Sequence, residues 1–119
     1  MPQPFQPGDF IVFQLESGFA LLRVLEIEDS NDSKTWHIAA YNEFFPDVES
    51  AEQATITQNR LSIATPHIAL TNRAFESTQV ARVSNSPLSP DEAAPLQRWH
   101  KDPNATPSDR SVRLLLGLR

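Results

Sequence analysis

The sequence predicts a mainly β, α+β domain: a small antiparallel barrel or curled sheet with C-terminal helices. Three observations carry this. Short β-branched and aromatic runs, separated by turn signals, recur through residues 8–88. Strong helix-start signals come late, from Ser89 onward. Leu, Ile, Val and Phe together supply 31 of 119 residues, above the roughly 20 % below which chains tend to stay disordered. Strands that come first and helices that come last fit helices laid on an antiparallel sheet. The length suits one domain: residues 1–7 extended or disordered, 8–88 a β body, 89–119 a helical segment.

Residues 1–7 hold three prolines and lead into the turn signal Pro7-Gly8-Asp9. Phe10-Ile11-Val12-Phe13-Gln14-Leu15 is a run of strand length and strand composition. Glu16-Ser17-Gly18 is a short hairpin connection. In Phe19 to Ile27 a helical stripe through Leu21, Val24, Leu25 and Glu28 competes with a second antiparallel strand. The short loop before it favours the strand. Glu28 to Lys34 is polar and reads as a loop.

Thr35 to Tyr41 alternates, with Trp36, Ile38 and Ala40 on one face and Thr35, His37, Ala39 and Tyr41 on the other, a third strand. Asn42 to Ala54 is an acidic excursion, a short helix or an irregular stretch. Short β pieces are expected around Ile56, at Leu61 to Ala64, at His67 to Leu70 and at Gln79 to Val83, with a turn at Thr71-Asn72-Arg73. Five or six such strands match the size class of SH3-like or OB-like barrels. Ser89-Pro90-Asp91-Glu92 is a capping box with proline at the first helical position. Pro95 lacks an amide and is expected to break or kink this helix. Thr106-Pro107-Ser108-Asp109 repeats the capping logic before Arg110 to Leu118. There Val112, Leu115 and Leu116 share a helical face, and Gly117 suits a C-cap; Val112, Leu114, Leu116 and Leu118 also alternate as a strand would, and the capping signal favours the helix.

Composition excludes much chemistry. The chain has no cysteine, so disulfides, thiolate nucleophiles and cysteine-ligated metals are absent. Three glycines form neither GxGxxG nor a Walker A loop. No GxSxG and no HExxH occurs. No stretch approaches the ~20 apolar residues of a membrane span, and the N-terminus lacks the basic and apolar regions of a secretory signal. The expectation is a cytoplasmic protein without membrane contact.

The net charge of −5 argues against general nucleic-acid binding, but it hides an asymmetry. Residues 1–97 carry five basic against thirteen acidic side chains, and residues 98–119 five against two. The body is therefore acidic and the tail basic. The bland reading is that the tail packs across the body. The other is a nucleic-acid contact through Arg98, Lys101, Arg110 and Arg113.

Tyr41-Asn42-Glu43-Phe44-Phe45-Pro46 is the most distinctive local patch. Aromatic side chains with a polar rim are what interaction hot spots use, so Tyr41, Glu43, Phe44, Phe45 and Asp47 are the candidate binding residues. The competing expectation is that the phenylalanines plug one end of the barrel. Three histidines, His37, His67 and His100, show no metal-ligand spacing in sequence. His37 and His67 would meet if their strands pair. With Glu43 or Asp47 nearby they would form a metal or acid–base site, the enzymatic alternative. Four leucines within Val112–Leu118 offer a homodimer face.

Pro7-Gly8-Asp9-Phe10-Ile11-Val12-Phe13, with Gly18-Phe19 and Arg23-Val24-Leu25, resembles the opening hairpin of an SH3-like family of bacterial immunity proteins from polymorphic toxin systems. The resemblance covers residues 7–27 and extends loosely over 35–88. It implies a small acidic protein that binds a cognate toxin and performs no chemistry. The expectation is thus a non-enzymatic protein-binding domain without a cofactor.

Overall fold

A computed structural model describes residues 5–15, 18–30, 33–57, 61–76 and 80–108. Among them are strands β1 (Asp9–Leu15), β2 (Gly18–Ser30) and β3 (Ser33–Phe45), helix α1 (Val48–Thr57), strand β4 (Ile63–Thr71), helix α2 (Asn72–Glu76), strand β5 (Val80–Asn85) and helix α3 (Pro90–Lys101). The strands form one antiparallel sheet in the order β4-β3-β2-β1-β5. The first four strands are a meander, and the fifth returns beside the first. This is the predicted mainly β architecture, as a curled sheet that does not close.

Both faces of the sheet are covered, so the strands alternate between two cores. Ile11, Phe13, Leu22, Val24, Trp36 and Ile38 face one side, where Ala74 and Phe75 of α2 cover them. Trp36 stacks on Phe75 with ring centroids 4.0 Å apart, and its Nε1 donates to Asn72 Oδ1 at 2.9 Å. Phe10, Val12 and Leu21 face the other side and meet Ala51 of α1. Farther along that face Leu25 and Ala39 meet Leu96 of α3.

Several elements differ from the sequence expectation. The polar Glu28–Lys34 stretch is mostly strand, because Asp29 pairs with Lys34 and Ser30 with Ser33 in the β2–β3 ladder. β3 runs on through Phe45, and the acidic excursion becomes α1, started by Asp47, whose Oδ1 accepts from the Ser50 amide at 2.7 Å. Ile56 lies in that helix rather than in a strand. The pieces at Leu61–Ala64 and His67–Leu70 fuse into β4, an edge strand that tolerates Pro66. The turn at Thr71-Asn72-Arg73 opens α2.

The capping box at Ser89 is present as predicted: Ser89 Oγ accepts from the Glu92 amide at 3.2 Å, and Glu92 Oε1 accepts from the Ser89 amide at 2.8 Å. Pro95 does not break the helix, which continues to Lys101. The chain beyond α3 is not helical as far as Ser108. It returns to the free edge of β4, where the Thr71 amide donates to Ser108 O at 2.9 Å and the Ser108 amide to Ala69 O at 2.8 Å. The expected helix at Arg110 to Leu118 and its dimer face lie outside the described residues.

One buried charge ties these parts together. Arg23 of β2 is only 1 % exposed. Its Nε donates to Glu92 Oε2 at 3.0 Å, one terminal nitrogen to Gly8 O at 2.7 Å and the other to Pro87 O at 3.1 Å. Its guanidinium lies 4.0 Å over the Phe10 ring. Gly8 has φ +91, and a Cβ there would sit 2.6 Å from Ser86 O, so a side chain would be excluded twice over.

Burial disfavours the charged form of Glu92, but hydrogen bonds from Ser89 and Arg23 outweigh it and hold the carboxyl below its ordinary pKa. Its contribution to stability is therefore complete above the ordinary value of 4.5 and is lost as pH falls through the lower folded-state value. Glu92→Ala leaves a buried guanidinium uncompensated and is expected to cost about 3 kcal/mol in urea unfolding with unchanged slope. Replacing the pair together (Arg23→Met with Glu92→Leu) should recover more than half of that loss. Equal losses in the single and the double variant would show that the pair is not the anchor.

Candidate functional site

All three histidines converge on the face that α3 covers. His37 lies on β3 and is fully buried. His67 lies on the neighbouring β4, and its Nε2 is 2.9 Å from His37 Nδ1, with the rings stacked at 5.1 Å. The cross-strand meeting expected from the sequence is thus present. His100 comes from the last turn of α3, with its ring 5.4 Å from that of His37. Trp99 closes over the group, edge-on to His37 at 4.6 Å.

The carboxylates at the histidines are Glu26 and Glu28, not Glu43 and Asp47. Glu28 Oε1 is hydrogen-bonded to His37 Nε2, and Glu26 Oε2 is 2.5 Å from His100 Nε2. Glu26 Oε2 also lies 4.0 Å from His37 Nε2, and Glu28 Oε1 lies 3.8 Å from His100 Nδ1. One potential ligand atom from each of Glu26, Glu28, His37 and His100 falls within 4.8 Å of all the others.

A β-bulge builds this arrangement. In a regular strand Val24, Glu26 and Glu28 would share one face. The β2–β3 register shifts between Val24 and Glu26, and the added residue reverses the alternation. Ile27 then joins the core with Val24, and Glu26 and Glu28 turn toward His37. Sequence periodicity alone hides the site for this reason. The available signal was the Glu26-Ile27-Glu28 spacing, which puts two carboxylates on one strand face.

Burial, together with the neighbouring His37 and His100, pushes His67 down to about 4. It is therefore neutral at physiological pH, able to accept from His37 Nδ1–H or to donate to an unprotonated Nδ1.

The 41–47 patch is divided by the fold. Tyr41 stacks on Phe10 at 6.1 Å, and burial pushes its phenol up to about 12. Phe45 packs against the same cluster as Tyr41, whereas Phe44 is 46 % exposed. Glu43 is held in place by Ser62, whose amide and hydroxyl each donate to its carboxylate at 2.7 Å. Burial raises the Glu43 carboxyl, but the hydrogen bonds together outweigh it and hold Glu43 below its ordinary pKa. Asp47 is lowered by the Ser50 amide and hydroxyl. Neither carboxylate takes part in the histidine group.

Among the described residues, the large apolar side chains left exposed are Phe44, Val48, Ile56 and Ile63. All lie on the excursion from the end of β3 through α1 to the start of β4. Arg98 and Lys101 are exposed on α3, while Arg110 and Arg113 lie outside the described residues. No described helix is long and apolar enough to cross a membrane.

The environment of His67 generates a prediction. Its ring carbon shifts in NMR should stay those of neutral imidazole from about pH 7.5 down to about 5.5, where an unperturbed histidine is mostly protonated. A midpoint near 6.5 would show that His67 is solvated rather than packed against Trp99 and His37.

Comparison with protein-family models, with curated proteins and with solved structures gave no match.

Proposed function

We propose that the chain is a non-enzymatic protein-binding domain whose contact region is the β3–α1–β4 excursion. One observation carries this reading: the exposed large apolar side chains fall on that excursion, interleaved with acidic residues. Phe44 is flanked by Glu43 and Asp47, and Glu49 and Glu52 follow on α1. An exposed phenylalanine with acidic neighbours offers a central apolar anchor and a charged rim, the anatomy of an interaction hot spot. The bonds from Ser62 to Glu43 and from Ser50 to Asp47 fix two of the charges in advance, which lowers the ordering cost of binding. Tyr41 and Phe45 act from behind, as the packed support that holds Phe44 outward.

The partner that fits is a protein with a basic surface around an apolar pocket. Opposite charge then sets the association rate and disfavours acidic competitors. A toxin neutralised by this chain is the specific case implied by the resemblance of residues 7–27 to immunity proteins. The work of such a domain is steric and electrostatic, and it needs no cofactor. A cytoplasmic setting belongs to the same proposal.

The test starts with capture from the source cells at low and at high salt, and continues with the purified partner. Phe44→Glu is expected to weaken a 1:1 complex at least 10-fold. Charge reversal at Asp47, Glu49 and Glu52 is expected to slow association and to flatten its salt dependence. Failure to capture a partner at either salt, or wild-type affinity in the Phe44→Glu protein, would refute the reading.

A further inference from the structure

We propose that Glu26, Glu28, His37 and His100 form a binding site for a first-row transition-metal dication, with zinc as its probe ion. This goes beyond the binding-domain reading and does not depend on it. The site and Phe44 are separated along β3 by seven residues from His37, on the order of 20 Å of extended chain.

Two imidazoles and two carboxylates supply four ligands, and the two negative charges match a dication. Imidazole nitrogen disfavours magnesium and calcium, which prefer oxygen, and suits zinc and its neighbours. Among the described residues, no lysine or arginine is paired with Glu26 or Glu28, whose charged-group contacts are with His37 and His100.

Bonds of about 2.0–2.1 Å in a tetrahedron place ligand atoms roughly 3.3 Å apart. The separations here straddle that value: Glu26 Oε2 lies 2.5 Å from His100 Nε2 and 4.0 Å from His37 Nε2, and one atom from each of the four residues lies within 4.8 Å of the others. Drawing a separation of 4.8 Å in to that value takes a shift of about 1.5 Å, shared between two side chains. A ligating histidine generally has its second ring nitrogen held by a hydrogen bond that fixes the tautomer. His37 is buried and has this arrangement, with Nδ1 2.9 Å from His67 Nε2. When Nδ1–H donates to His67, the lone pair of Nε2 faces the carboxylates of Glu28 and Glu26. Trp99 keeps that pair of rings packed.

Three ligands come from the adjacent strands β2 and β3, and the fourth comes from the end of α3. A bound ion would therefore clamp α3 to the sheet, and binding would register as stability.

Full-length protein stripped with chelator and then given zinc is expected to retain one equivalent per chain after desalting. Its thermal midpoint should rise, and magnesium and calcium should leave the midpoint unchanged. Cobalt should give the visible bands of a four-coordinate ion. Glu28→Gln and His100→Gln keep hydrogen-bonding capacity but remove a ligand, and each should weaken zinc binding about 100-fold or more. His67→Phe removes no ligand and should weaken it about 10-fold. Circular dichroism in metal-free buffer establishes that each variant is folded. Three outcomes would each overturn the site: less than a tenth of an equivalent retained, zinc retained equally by both ligand variants, or a midpoint that magnesium raises as much as zinc does.

Discussion

A guanidinium buried in the middle of β2 has to be satisfied, and much of this fold is arranged around the way Arg23 is satisfied. Its partners are the carbonyl of Gly8 ahead of β1, the carbonyl of Pro87 beyond β5, and the carboxylate of Glu92 in the first turn of α3. One side chain thereby fixes the entry to the sheet, the exit from it and the helix that follows. Leaving any of these groups unmade in a low-dielectric setting costs more than the bond contributes when made. The three segments are therefore locked to one another, although they are far apart in sequence. Glu92 also closes the capping box with Ser89. The residue that starts α3 is the residue that positions it.

The position of α3 then decides what happens at the other end of the helix. With its N-terminus fixed over Arg23, the helix runs along the sheet past Leu25 and Ala39, which meet Leu96. Its last turn brings Trp99 and His100 over β2 and β3. The bulge near Leu25 supplies the complementary half by turning Glu26 and Glu28 to the same side as His37. Neither the bulge nor the helix would build the histidine group alone. Bulges commonly re-aim side chains next to functional sites, and here the re-aimed pair is the only route by which both carboxylates reach the imidazoles.

This division explains what could be read from the sequence. The Trp36, Ile38, Ala40 alternation, the Ser89 capping box and the opening hairpin are local signals, and each survives folding because tertiary packing agrees with it. The alternation even placed His37 and Tyr41 on one face, where they lie. Pro95 is tolerated because the helix loses only one hydrogen bond there, while its first turn is held by the Ser89 capping box and by Arg23. Glu26 and Glu28 were overlooked for another reason. A single inserted residue in β2 inverts the face of everything after it, and periodicity read along one strand cannot detect an insertion defined against its partner. Glu43 and Asp47 are carboxylates that the sequence makes available to the histidines, but each has another amide to bind, from Ser62 and Ser50 respectively. For Asp47 the partner is three residues away, and such local bonds compete successfully with distant ones.

The docking of α3 is the remaining question of energetics, and it bears on what the histidine group is for. Among the described residues of α3, Leu96 alone is buried. Full burial of one leucine contributes only about 1.5–3 kcal/mol, a small return for ordering a helix of 12 residues. Hydrophobic contact therefore does not fix the helix, and polar anchors must. The N-terminal anchor is an ion pair with buried Arg23, strong because it is largely shielded from water. The C-terminal anchor, His100 with Glu26, is more than a third exposed on both sides, and an exposed pair of this kind contributes little. The two ends of one helix are thus held unequally, and the weaker end carries the side chains that complete the four-ligand group. An ion bound there would supply the missing strength at the place where the helix is least secured. Without one, opening should begin at Trp99 and His100 and proceed toward Ser89, because local stability follows the density of satisfied, shielded contacts.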